Sequence, residues 1–182
     1  MSKFHFIQPY SMKSPPNIGG SINQAIEQLH ADGEDWIILT DHDVCWLRSD
    51  SKRQLISILE TTEYDVLGPV TNRLSMPHQV IDGMFDVMSF DEHVRVGNYL
   101  HERNYGQVIS TSDILAAFCL CFRVSTWRSL GCFLENSIQF DSVFSCDAIN
   151  KGYKLGIMSG IYLWHSYRIL SDCPKFDISH LI

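Results

Sequence analysis

Basic residues are in short supply. Fourteen Lys and Arg face twenty-one Asp and Glu over 182 residues, a formal charge of −7. Proteins that grip nucleic acid carry a basic face, so nucleic acid is not an expected partner. Long apolar runs are missing too. The longest, 114–122, is nine residues, and a membrane-spanning helix needs about twenty. The first ten residues lack a basic stretch leading into an apolar one, so no signal peptide is expected and a cytoplasmic protein is the default. The six cysteines form no Cys-x-x-Cys pair, which argues against a zinc ribbon or a dithiol redox motif. They read as small buried hydrophobes in a reducing compartment, with Cys119 and Cys121 on one strand face. There is no internal repeat, no Gly-Lys-Ser/Thr phosphate loop and no Asp-x-Asp-Gly-Thr nucleophile motif.

What is present suits one domain with a substantial core: 45% of residues are apolar and 19% charged. Strand and helix signals alternate, which predicts an α/β fold with a mostly parallel sheet flanked by helices. Strands are expected at 4–7, 36–40, 65–70, 114–124, 154–158 and 161–164. Helices are expected at 21–31, 51–60, 90–103 and 140–151, with a short turn from Ser125 to Gly131. In the first helix Ile22, Ala25, Ile26 and Leu29 make one apolar stripe, and Ser21 with Gln24 reads as a capping box. Ser89 with Glu92 reads the same way. Segment 71–113 is otherwise the least regular part, and 166–182 is a more polar tail.

The strongest local signal is Asp41-His42-Asp43, directly after the continuous apolar run WIILT. A run of that kind suits a strand buried on both faces. Ligands of open α/β sheets bind beyond the carboxyl ends of such strands. Two carboxylates there cost energy unless a cation or donors offset them. Mg²⁺ or Mn²⁺ fits, because both share oxygen shells with substrate phosphates. The competing reading is a pair of turn-forming aspartates. Gly19, Gly20 and Ser21 precede a helix start, either an anion site or a plain loop-to-helix turn.

Several segments together resemble the GT-A glycosyltransferases, in particular the inverting family 2. Asp35 to Leu47 (DWIILTDHDVCWL) is similar to that family's apolar strand running into Asp-x-Asp. Phe6 to Tyr10 (FIQPY) resembles the first strand, whose end meets the nucleobase. Asn17 to Ile26 (NIGGSINQAI) resembles the Asn-Gly segment leading to the helix before the metal strand. Gly131 to Glu135 (GCFLE) resembles the Gly-Gly-Phe-x-Glu element, followed by Asp141 and then Lys151-Gly152-Tyr153. The resemblance runs over roughly residues 4 to 166. Three features depart from it. The βαβ portion that usually follows the first strand is missing. Phe140 stands where an acidic residue often precedes the base. The Arg common near the helix-segment Asn is absent, with Ile22, Asn23 and Gln24 in its place.

The resemblance implies a single GT-A domain over 1–182: a shortened nucleotide and metal half at 1–70, an acceptor half at 71–165 and a tail at 166–182. It implies metal-dependent, inverting transfer of a hexosyl-type sugar from a nucleotide-diphosphate sugar, a UDP-sugar foremost, to a glycan or other hydroxyl acceptor. Asp43 and His165 are the implied metal ligands, with Asp41 on the ribose and reaching the metal indirectly. Pro9, Tyr10, Asn17, Gly20, Asn23, Asp41 and His42 are implied donor contacts. Asp141 is the implied general base. An imidazole ligand favours Mn²⁺ over Mg²⁺. Phosphate charge is then met by metal, backbone, or Arg168 and Lys175 in the tail. His78, Trp46, Phe85, Phe90, His93 and Tyr99 are aromatic candidates for an acceptor groove. Residue by residue, His165 also reads as a structural histidine, and Asp141 as a helix N-terminal carboxylate. Two other functions stay open: a metal-dependent phosphohydrolase or nucleotidyltransferase, and an inactive sugar-nucleotide-binding protein.

Overall fold

The computed structural model describes residues 2–11 and 16–167. In chain order its elements are β1 (Phe4–Ile7), α1 (Ile18–Gln28), β2 (Trp36–Thr40), β3 (Val44–Trp46), α2 (Ser51–Thr61), β4 (Val66–Thr71), α3 (Phe90–Asn104), β5 (Val108–Thr111), β6 (Cys119–Arg123), α4 (Val124–Leu130), α5 (Phe140–Asn150) and β7 (Leu155–His165). A single 3₁₀ turn covers Pro77–Gln79. Among the described residues no helix is long and apolar enough to cross a membrane.

The seven strands form one sheet in the order β1-β2-β6-β4-β7-β3, with β5 also paired to β7. The α/β alternation is as expected, but the sheet is mixed rather than mostly parallel. Only β1/β2 and β4/β7 run parallel; β6 runs against both β2 and β4, and β3 and β5 run against β7. The continuous apolar runs in β2 and β6 encode burial on both faces, which a central antiparallel strand shares with a parallel one.

Strand alternation builds two apolar layers. Ile37 and Leu39 of β2 join Leu120 and Phe122 of β6 on one face. There they meet Ile22 and Ile26 of α1, Trp127 of α4, and Phe140 and Phe144 of α5. Trp36, Ile38, Cys119 and Cys121 point the other way, against Leu55 and Leu59 of α2. Cys119 and Cys121 are free, fully buried thiols, as their pattern predicts.

Four boundaries differ from the sequence reading. The cap of α1 is Asn17, whose Oδ1 accepts from the Gly20 N–H at 3.0 Å, and Ser21 instead donates its hydroxyl to the Asn17 carbonyl. The early start needs Gly19: a Cβ there would lie 2.2 Å from the Leu134 carbonyl oxygen. The expected strand at 114–124 shrinks to β6. Ahead of it, the N–H groups of Leu115, Ala116 and Ala117 donate to the side chains of Ser145, Gln79 and Asp141, leaving no ladder. The turn after Ser125 is a full helix, α4. The two expected strands after residue 154 are one eleven-residue strand, β7, which bulges against β4 between Pro69 and Val70. Gly160 marks close packing rather than a break, since a Cβ there would sit 2.3 Å from the Asn104 carbonyl oxygen.

One buried carboxylate ties the N-terminus to this frame. Asp35 is 3% exposed. It accepts from the backbone N–H of Lys3 (2.8 Å), from His5 Nε2 (3.1 Å) and from the backbone N–H of Asp32 (3.1 Å). The Lys3 bond, then the His5 bond, hold its pKa down from 3.8 to about 2. Its stabilising effect is therefore complete above pH 3.8 and is lost as the pH falls towards 2. Asp35→Ala should cost about 2 kcal/mol at neutral pH by stranding these donors. Thermal melts of both proteins should show that gap narrowing as the pH is lowered through this window.

Candidate functional site

β2 is buried from Trp36 to Leu39 and delivers Asp41 at the sheet's end. The Asp41 N–H donates to the Phe118 carbonyl (2.9 Å), and Gln8 Nε2 donates to the Asp41 carbonyl (2.7 Å). Two residues on, β3 pairs antiparallel with the end of β7, with Val44 opposite His165. This register puts Asp43 beside His165: its Oδ1 stands 3.3 Å from His165 Nε2, and its Oδ2 accepts from the Ser166 hydroxyl at 3.3 Å.

His165 is 3% exposed and held on every side. The side-chain amide of Asn72, just past β4, accepts from the His165 N–H (2.7 Å) and donates to its carbonyl (3.1 Å). The ring stacks on Phe118 at 5.5 Å. Its Nδ1 lies 3.0 Å from the Arg73 carbonyl, which can only accept, so Nδ1 carries a proton. Nε2 is thereby aimed at Asp43, the arrangement in which an imidazole serves as metal ligand through Nε2.

Ligand atoms of Asp41, Asp43 and His165 all lie within 4.8 Å of one another. Burial pushes the Asp41 carboxyl up to about 6; the negative charges of Asp43 and Asp141 push the same way, while His165 opposes them. The hydrogen bond to His165 holds Asp43 below the ordinary carboxylate range. Asp141, in the first turn of α5, faces the same cleft of about 510 Å³ as Asp41 and His165. Its Oδ2 accepts from the Ala117 N–H (3.1 Å), and its Oδ1 accepts from the Ser142 N–H (2.8 Å).

The other expected residues divide into two groups. Tyr10 and exposed His42 meet edge to face, 5.8 Å apart, beside the Asp41 turn, and Pro9 lies in the same segment. Asn17, Gly20 and Asn23 do not reach the acidic cluster; they line a separate cleft of about 550 Å³ between α1 and residues 131–135. Asn23 is buried and committed: its Nδ2 donates to the Phe133 carbonyl, and its Oδ1 accepts from Trp127 Nε1 and the Phe133 N–H. Asn17 caps α1, accepts from the Asn136 N–H and donates to Glu135. The resemblance to a donor-binding segment thus falls on residues that latch α1 to the 131–136 loop.

None of the six aromatic candidates lines the acidic cleft. His93 is fully buried, donating from Nε2 to the Val87 carbonyl and accepting from the Tyr162 hydroxyl, and burial lowers its pKa. His78 donates to the Ile114 carbonyl, and Phe85 lies under the Arg73 guanidinium. Trp46 packs edge to face against Phe6 with Lys52 over both rings. Phe90 meets Trp164, and Tyr99 is an exposed partner of Arg103 on α3. Arg168 and Lys175 fall outside the described residues. Sequence reasoning missed Asn72. Its signal was available: a polar pair, Thr71-Asn72, ends the fully buried β4 as Asp41 follows β2.

No family model, curated protein or solved structure matches the chain.

Asn72→Ala would strand a buried N–H and a buried carbonyl of His165. It should lower stability by about 3 kcal/mol, read from denaturant midpoints. Tyr99→Ala, on an exposed face, should shift stability by no more than about 0.5 kcal/mol.

Proposed function

We propose that this chain is a metal-dependent transferase that moves a sugar from a nucleotide-diphosphate sugar, a UDP-sugar foremost, to a hydroxyl acceptor with inversion. The observation that carries the reading is the convergence of Asp41, Asp43 and His165 within 4.8 Å, with Asp41 and His165 lining a cleft shared with a separately held carboxylate, Asp141. The donor set fits a divalent cation. Two carboxylates supply hard oxygen ligands, and a fixed imidazole supplies nitrogen, a mixture that suits Mn²⁺ better than Mg²⁺. Bonds of about 2.1 Å to one ion hold ligand atoms up to about 4 Å apart, close to the separation present here. When bound, such an ion offsets the charge that builds on the departing diphosphate.

The chain's own residues then divide the remaining work. Tyr10 and His42, exposed beside the Asp41 turn, offer a ring surface to the nucleobase. Asp141 takes the proton of the acceptor hydroxyl as that oxygen bonds to the anomeric carbon. The bond from that carbon to the diphosphate oxygen breaks, and its electron pair leaves with the diphosphate. The Ala117 and Ser142 N–H groups fix the Asp141 carboxylate on the cleft wall.

Calorimetry with UDP tests the reading. Wild type should bind UDP only with Mn²⁺ present. Asp43→Ala should weaken that binding by at least the roughly 10- to 100-fold seen when a metal site loses even a supporting group. Asp141→Asn should leave UDP binding intact and cut sugar transfer by about 100-fold or more. UDP binding indifferent to Mn²⁺, or equal loss in both variants, overturns the assignment.

A further inference from the structure

We infer that the acceptor is neutral and carries an apolar aryl or alkyl group beside the part that bears its reactive hydroxyl, and is not a phosphorylated compound. The inference rests on the transfer reading above and concerns the side chains that line the cleft around Asp141. One wall is acidic, with Asp41 and Asp141 beside His165. The same lining carries apolar side chains, Ile18 at the start of α1, Leu74 and Met76 after β4, Ile138 ahead of α5 and Phe140 at its start, interspersed with Ser75, Gln139 and Ser142. Ile138 is 83% exposed, an isoleucine held in water at the rim of a site.

This lining selects by chemistry. A bare sugar finds partners in Ser75, Gln139 and Ser142 of the same lining but leaves Leu74, Met76 and Ile138 uncovered. An aryl or alkyl group on the same surface releases water from both sides. A phosphorylated acceptor would meet two carboxylates, and among the described residues no Lys or Arg lines the cleft to offset them. Hydroxyl and apolar group therefore enter together, the hydroxyl towards Asp141 and the apolar part towards Ile138 and Met76. Tyr10 and His42 lie outside this lining, so the nucleoside does not compete for the same surface.

The test compares p-nitrophenyl β-glucoside with methyl β-glucoside, which share a sugar and differ in the apolar group. Binding to the full chain is followed by saturation-transfer NMR and competition, in wild type and in Ile138→Ser and Met76→Ser. The aryl compound should bind about tenfold more tightly, the scale of burying one large apolar group. Each variant should erase most of that advantage and leave the methyl compound unchanged. Ile138→Ser changes an exposed side chain, so folding is not at issue, and matching melting curves check it. Equal affinity for the two glucosides overturns the inference, as does an aryl preference untouched by both variants. Mn²⁺-dependent UDP binding is measured in parallel: its failure removes the transfer reading, whereas its presence without aryl preference removes only this inference.

Discussion

Two carboxylates, Asp41 and Asp43, meet the imidazole of His165 at one end of the sheet, and a third, Asp141, faces the same cleft as Asp41 and His165. That balance is the constraint on which the rest of the site depends. Asp41 and Asp43 arrive from one side, carried by β2 and its turn; His165 arrives from the far end of β7. Nothing in the local sequence holds them together. The β3/β7 register brings Asp43 alongside His165, and Asn72 fixes the His165 main chain through two hydrogen bonds. The Arg73 carbonyl then decides which ring nitrogen faces the acids. Burying the Asp41 carboxyl is costly, the charges of Asp43 and Asp141 add to that cost, and its raised pKa expresses it. A cation shared by these groups would relieve it.

The same economy of backbone satisfaction places Asp141. The segment ahead of β6 leaves the ladder, and its N–H groups go to Ser145, Gln79 and Asp141. The Ala117 bond thus ties the start of α5 to the segment that leads into β6. Elsewhere on α1, Asn17 and Asn23 close a different joint, stitching the helix to the loop at 131–136. The two clefts flanking α1 therefore differ in character, one acidic and apolar, the other built around amide latches.

Much of the frame was legible because burial leaves a strong imprint. β1, β2, α2 and the Ser89 cap of α3 appear where the apolar pattern and the capping residues put them. Strand direction was not legible: the runs WIILT and CLCF record two-sided burial and say nothing of parallel or antiparallel pairing. β3 and β5 were missed because one continues straight out of the Asp-His-Asp turn and the other lies in the irregular segment 71–113, without flanking signals to set them off. In the site, Asp41 and Asp43 stand out as polar residues at the end of an apolar strand, whereas His165 and Asp141 were pointed to only by the resemblance. Asn23 reads from sequence like a ligand contact, yet only the tertiary fold reveals that Trp127 and Phe133 consume its amide. His93 misleads for the same reason, its two nitrogens being spent on Val87 and Tyr162.

Whether a cation joins the two aspartates to His165 is the central claim, and electron spin-echo envelope modulation of the Mn²⁺-loaded protein tests it most directly. The account predicts a nitrogen coupling from one imidazole that disappears in His165→Gln. Mn²⁺ bound without any nitrogen coupling, or a coupling that survives that substitution, would contradict it.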